Sequence, residues 1–172
     1  MLGLLSLFVL GACTSSSSTD TASVVVERFY ATTIAQKLTG APTSSQLAAI
    51  APYLSDTLRS LLDAARRRSE ADASRAPDEK PAFADGDLFS SLFEGPNAAD
   101  VVADSARGDV RVATVRMTST SANPPVTWID HVVIIPRNGG FVIDDVEYGG
   151  TWDFANKGTL RATLVSTLSA PP

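Results

Sequence analysis

The sequence predicts an α+β fold in which N-terminal helices pack on a curved antiparallel sheet, cone-like in shape, followed by a C-terminal helix. Three observations predict it. Apolar residues recur at three- and four-residue steps as far as Ala65 and then, after Gly95-Pro96, at two-residue steps. Asn138-Gly139 stands between two strongly apolar runs and marks a two-residue hairpin turn, because both turn positions need φ > 0. Helices gathered before strands place the helices on one side of an antiparallel sheet.

The first helix begins near Asp20 or Thr21, either of which can cap free N–H groups. Val26, Phe29, Tyr30, Ile34 and Leu38 share one face, and Gly40 and Pro42 stop the run. A short helix from Ser44 turns Leu47 and Ile50 inward and ends at Pro52. Ser55 caps a third helix with Asp56 in its first turn and a stripe of Leu58, Leu61, Leu62 and Ala65; Arg66 to Arg68 close it, where cations suit the helix dipole. Ser69 to Asp87 reads as a polar loop. Leu88, Phe89, Leu92 and Phe93 then read as one helical turn that pins its aromatic rings into the core.

Strands are expected over Ala99–Ala106, Asp109–Thr120, Val126–Ile135 and Phe141–Tyr148, with a bulge in the second between Val112 and Val115. Asn123-Pro124-Pro125 is a turn, and Gly149-Gly150 breaks the last strand. Gly158 or Thr159 opens a final helix carrying Leu160, Leu164 and Leu168. Both hairpin strands are apolar on both faces, so each face needs some cover: helices on one, the C-terminal segment or a second subunit on the other. A homodimer through the sheet is therefore one expectation.

The N-terminus gives an address. Leu2 to Leu10 is a short apolar run, well below the about 20 residues that span a bilayer. It ends in Leu10-Gly11-Ala12-Cys13, which resembles a bacterial lipobox. That resemblance implies a signal peptide over 1–12, cleavage between Ala12 and Cys13, and acyl chains such as palmitate on the Cys13 thiol. No basic residue precedes Arg28, so either the true start lies upstream of Met1 or the α-amino group is the only n-region charge. Thr14 follows the cysteine rather than Asp, which by analogy points to the outer membrane, facing the periplasm. Residues 13–22 form a Ser-rich flexible tether and 23–172 a single domain.

Composition excludes several classes. Cys13 is the only cysteine, so the domain has no disulfide and no thiol redox chemistry. About 150 residues suffice for one core without such staples. A net charge of −5 without a basic stripe speaks against nucleic acid. One histidine and no free cysteine do not make a zinc site, and Asp85, Asp87 and Glu94 lack the pattern of a calcium loop, so neither metal nor cofactor is expected. No nucleophile elbow, phosphate loop or dinucleotide fingerprint occurs.

The element order, the Arg28-Phe29-Tyr30 helix and the closing Gly140-Phe141-Val142-Ile143-Asp144-Asp145-Val146 strand resemble the nuclear transport factor 2-like (cystatin-like, cone) superfamily. Phe141 stands where Trp is usual in that strand. Asp85 to Phe93 resembles a segment in a branch of exported bacterial lipoproteins of unknown function. The resemblance implies a pocket between helix and sheet, in a superfamily that hosts both enzymes and binders.

Against that frame three functions are expected, in order. The first is a non-enzymatic envelope lipoprotein that binds a partner protein or small ligand through the helix–sheet pocket, with Phe29, Trp128 and Asp145 on its surface. The second is a cone-fold isomerase or hydrolase. A two-residue turn at Asn138-Gly139 pairs His131 with Val146, Asp130 with Glu147 and Val132 with Asp145. His131 and Asp144 then become diagonal neighbours on one face, so Asp144 would orient a general-base imidazole while Tyr30 stabilises negative charge. The third is a periplasmic immunity or inhibitor protein, its acidic balance suited to a basic partner.

Overall fold

The computed structural model describes residues 20–121 and 123–171; the apolar run, the Ala12–Cys13 junction and most of the Ser-rich segment lie outside them. The element order is α1 (Ala22–Ala35), α2 (Ser44–Ile50), a 3-10 turn (Ala51–Tyr53), α3 (Asp56–Arg75), β1 (Ala98–Arg107), β2 (Val110–Ser119), β3 (Val126–Arg137), β4 (Gly140–Glu147) and α4 (Leu160–Ser169). The strands form one antiparallel sheet in the order β1-β2-β3-β4. This is the α+β arrangement read from the sequence, with helices before the sheet and one after it.

Local signals set most helix starts. The Thr21, Ser55 and Thr159 side chains each accept an N–H from the first turn of their helix, and Thr43 with Gln46 forms a reciprocal capping box. The helix ends depart from the sequence reading. α1 stops at Ala35, before Gly40, in a Schellman arrangement: Lys37 N donates to Ile34 O, Leu38 N donates to Thr33 O, and Lys37 takes φ 48°. Leu38, directly after this turn, is buried and belongs to the core cluster. α3 runs past Arg68 to Arg75, so Arg66–Arg68 lie in mid-helix. Asp63, Glu70 and Asp72 hold them at i,i+3 and i,i+4 spacing, which the polar composition of 69–75 had concealed. The 88–93 segment is a chain of bends rather than a helical turn; Phe89 is buried there and Phe93 is exposed.

α1 crosses one face of the sheet, touching β1, β2 and β4, while α3 and α4 pack together near β4. The core between them holds Val26, Phe29, Tyr30, Leu58, Leu62, Phe89, Val115, Met117, Val132, Ile134, Ile143 and Leu164. Phe29 meets Tyr30 and Phe89 edge-on at 5.1 and 5.3 Å. Each such side chain contributes about 1.5–3 kcal/mol when fully buried.

The hairpin at Asn138-Gly139 forms as expected, with Arg137 opposite Gly140 and φ of 50° and 79° at the two turn residues. Two bulges shape the strands, neither at the expected place. One leaves Val102 of β1 unpaired, while β2 pairs with β3 without a break from Arg111 to Ser119. The other leaves Asp144 of β4 unpaired. A bulge bends its strand and increases the local twist. The outer edge of β4 is covered by Leu54, bridged to Ile143, and by Thr159, bridged to Glu147.

Candidate functional site

The Asp144 bulge decides the fate of the expected His131–Asp144 pair. Pairing follows the predicted register from Arg137–Gly140 to Ile134–Ile143, then slips by one, so His131 lies opposite Glu147 instead of Val146. Asp144 turns to α4 and forms an ion pair with Arg161. His131 is half-exposed, with Nδ1 3.4 Å from Thr114 Oγ1. Beside it Arg107 grips Glu147 through two bonds of 3.0 and 2.5 Å, and that contact, aided by His131, holds the Glu147 carboxyl below its usual range. These groups line a shallow cleft of about 370 Å³ with Ser105 and Val112. Tyr30 is buried in the core and donates to Phe89 O at 3.0 Å; burial and the nearby Asp130 push its hydroxyl well above the usual value. The three residues of the expected catalytic set do not converge.

The expected helix–sheet pocket is filled. Phe29 is fully buried, and Trp128 is 7% exposed and packs edge-on against Trp152 at 6.0 Å. Asp145 is spent on structure: its Oδ1 accepts from Val146 N at 2.8 Å and from Arg161 N at 2.9 Å, which ties β4 to the first turn of α4. Clefts remain at the two ends of α1. One, about 490 Å³, lies beside Asp20–Ser23, Asp104, Arg111 and Phe141. The other, about 390 Å³, lies beside Thr33, Lys37, Asp87, Glu94 and Asn97.

The polar centre of the molecule is a residue without an expected role, Asp130. It points from β3 to the core side and is fully buried. Its carboxylate accepts from Trp128 Nε1 (2.9 Å), Ser91 N (2.8 Å), Gly149 N (2.8 Å) and the Ser91 hydroxyl. Gly150 N in turn donates to Ser91 Oγ at 2.9 Å. One buried acid thus pins the 83–97 loop and the 148–158 loop to the sheet. Both glycines are required by contact: a Cβ on Gly149 would sit 2.2 Å from Ile129 O, and one on Gly150 2.7 Å from the Ser91 Cβ. The sequence did carry a signal. Asp130 shares the phase of Trp128, Val132 and Ile134, and an acid on the apolar side of a strand must be met by donors. Its donors come from loops with no periodicity, so only the folded chain reveals them.

Asn156 completes the hub, donating from its side chain to Asp87 O (3.0 Å) and Ser90 O (2.7 Å) and from its backbone to Ser91 O (2.9 Å). Asp87 accepts from Phe89 N at 2.5 Å, yet burial pushes its carboxyl up to about 7. Tyr148 closes the same region by donating to Leu88 O at 2.7 Å. The Ser91 hydroxyl is not a free nucleophile, because it is buried and engaged by Asp130 and Gly150. No group of three or more metal-ligating side chains occurs among the described residues. Each of the two pinned loops exposes one aromatic ring, Phe93 at 47% and Phe154 at 82%, among charged residues such as Asp85, Glu94, Asp153 and Lys157.

No family model matches the chain, and no solved structure matches it. The chain is similar to the uncharacterized lipoprotein YbjP of Escherichia coli, with 33% identity over 123 residues. The alignment covers 70% of the chain and 66% of that protein, just under two thirds of its length. Over this shared region the chain is a homologue of a bacterial lipoprotein of unknown function.

Proposed function

We propose that this protein is a lipid-anchored component of the cell envelope that works by binding a protein partner. The observation that carries the reading is Cys13, the sole cysteine, placed directly after Leu10-Gly11-Ala12 in a chain homologous to a lipoprotein. Cleavage before Cys13 and acylation of its thiol give stable anchoring, because each buried methylene contributes about 0.8 kcal/mol and several chains act together. Thr14 after the cysteine favours the outer membrane with the domain facing the periplasm. The order of helices and strands fits the cone-like superfamily, but here Phe29, Tyr30 and Trp128 occupy the space where such folds hold a ligand. Binding at the surface is therefore favoured over catalysis in a pocket, and the separation of His131, Asp144 and Tyr30 points the same way.

The test is fractionation of cells expressing the full chain or its Cys13→Ser variant, fed an alkyne-bearing fatty acid. The wild type is expected in the membrane fraction and labelled; the variant is expected to be unlabelled and released from the membrane. Equal labelling of both proteins refutes the anchor.

A further inference from the structure

An asparagine side chain can react with its own backbone, which makes it one of the labile residues of a protein. The nitrogen of the next residue attacks the side-chain amide carbon. That nitrogen must carry a proton to lose, its residue must not crowd the attack, and the amide must be free to turn. The four asparagines of the chain, Asn97, Asn123, Asn138 and Asn156, differ on each count. Asn97 is fastened at both ends of its amide: Nδ2 donates to Thr120 Oγ1 at 2.7 Å, and Oδ1 accepts from Thr120 N at 3.2 Å. Asn156 is half-buried and donates to Asp87 O at 3.0 Å and to Ser90 O at 2.7 Å. Ala98 and Lys157 follow these two, each with a side chain beside the attacking nitrogen. Asn123 precedes Pro124, whose nitrogen has no proton to lose.

Asn138 meets all three conditions. It is exposed, and with Gly139 it forms the tip of the β3–β4 hairpin, at φ 50° and 79°. Gly139 has no side chain to crowd its nitrogen. The space where a Cβ would project from Gly139 holds no atom within 4 Å, and its N–H takes no backbone partner among the described residues. Ring closure requires the tip to rotate out of its left-handed geometry, and the open space around Gly139 leaves room for that rotation.

We propose that Asn138 is a self-modifying site, converted in the folded protein to aspartate and isoaspartate through attack by the Gly139 nitrogen. The bond from that nitrogen to Asn138 Cγ closes a succinimide ring. The bond from Cγ to Nδ2 breaks, and Nδ2 leaves as ammonia with the proton that Gly139 gives up. Water, the only co-reactant, then opens the ring at either carbonyl. One opening leaves aspartate; the other leaves isoaspartate, in which the main chain runs through the former side chain. Both products add a carboxylate one residue from Arg137, whose guanidinium donates to Leu54 O at 2.9 Å and Pro52 O at 3.3 Å. Isoaspartate also lengthens the main chain by one carbon at the turn that sets the register of β3 against β4. Ammonia is lost to solvent, so the conversion runs one way and accumulates as each molecule ages.

The experiment holds the folded full chain in mildly acidic and in mildly alkaline buffer, digests samples over time and follows each asparagine-bearing peptide by mass. Fragment ions give the position, and an isoaspartate methyltransferase detects the rearranged product. Asn138 is expected to lose its amide at least about tenfold faster than Asn97 or Asn156. Isoaspartate is expected among the products, and the rate should rise with hydroxide, because the attacking nitrogen must shed its proton. Gly139→Ala should slow the reaction at least about tenfold, since a Cβ then crowds that nitrogen. The comparison with Asn97 and Asn156 in the wild type stands however well that variant folds. The proposal is overturned by an unchanged Asn138, by a rate no greater than at Asn97 or Asn156, by aspartate without isoaspartate, by equal rates in the two buffers, or by an undiminished rate in a folded Gly139→Ala chain.

Discussion

Asp130 offers the most direct test of how this fold holds its loops. Four donors converge on one buried carboxylate, and three of them belong to Ser91 and Gly149 in otherwise irregular segments. Asp130→Ala removes the acceptor and leaves those donors buried. Each unsatisfied buried donor costs about 1–3 kcal/mol. The loops can relax and rehydrate the two backbone N–H groups, whereas Trp128 Nε1 stays trapped against Trp152. A net loss of about 4 kcal/mol is expected, at the upper end of what single substitutions do. For a domain of this size that corresponds to a fall in Tm of roughly 8–16 °C. Asp130→Asn keeps the shape and one acceptor oxygen but turns an NH2 group towards donors, so it should fall between the alanine variant and the wild type. Urea unfolding followed by circular dichroism gives the stability. Hydrogen exchange gives the location: the Ser91, Gly149 and Gly150 amides should lose protection first in both variants. A Tm for Asp130→Ala within 3 °C of the wild type, or unchanged protection at Ser91, would refute the view of Asp130 as the pin.

Three further outcomes follow from the same geometry. Burial raises the Asp87 carboxyl to about 7 in the folded chain against 3.8 when free, so the unfolded chain releases its proton first as pH rises. Asp87 should therefore cost stability increasingly between pH 4 and 7, up to about 4 kcal/mol, and Asp87→Asn should flatten that part of the urea-midpoint against pH curve; an identical slope in both proteins would contradict it. Gly149→Ala forces a Cβ to 2.2 Å from Ile129 O, backbone that cannot move without breaking the β2–β3 ladder. It should lower stability by about 3 kcal/mol in the same urea assay, and a change below 1 kcal/mol would show that the 148–150 segment yields freely. His131→Ala should shift stability by less than about 0.5 kcal/mol, because the ring is half-exposed and its nearest polar contact is 3.4 Å away; a loss of several kcal/mol would show that the cleft beside Glu147 depends on it.

What could be read from the sequence was what depends on neighbours along the chain. Thr21, Ser55 and Thr159 cap helices because a side-chain oxygen reaches an N–H three residues on. Asn138-Gly139 turns the hairpin because two adjacent residues must adopt φ > 0. The α+β order follows from the change of apolar period, and the address from the residues around Cys13. Contacts between distant segments were beyond that reach. The continuation of α3 past Arg68 rests on ion pairs that look like loop polarity in one dimension. The Asp144 bulge moves every pairing beyond it by one residue, and with it goes the proposed partner of His131.

Tertiary structure alone decided which polar groups meet. Asp130 lies 39 residues from Ser91 and 19 from Gly149, and nothing local in either loop announces the acid that orders it. It also decided that the helix–sheet space is filled, since that depends on whether Phe29, Tyr30, Phe89 and Trp128 arrive at the same place. Local rules act through backbone geometry over three or four residues; a site is made where segments far apart in the chain must together satisfy one buried charge.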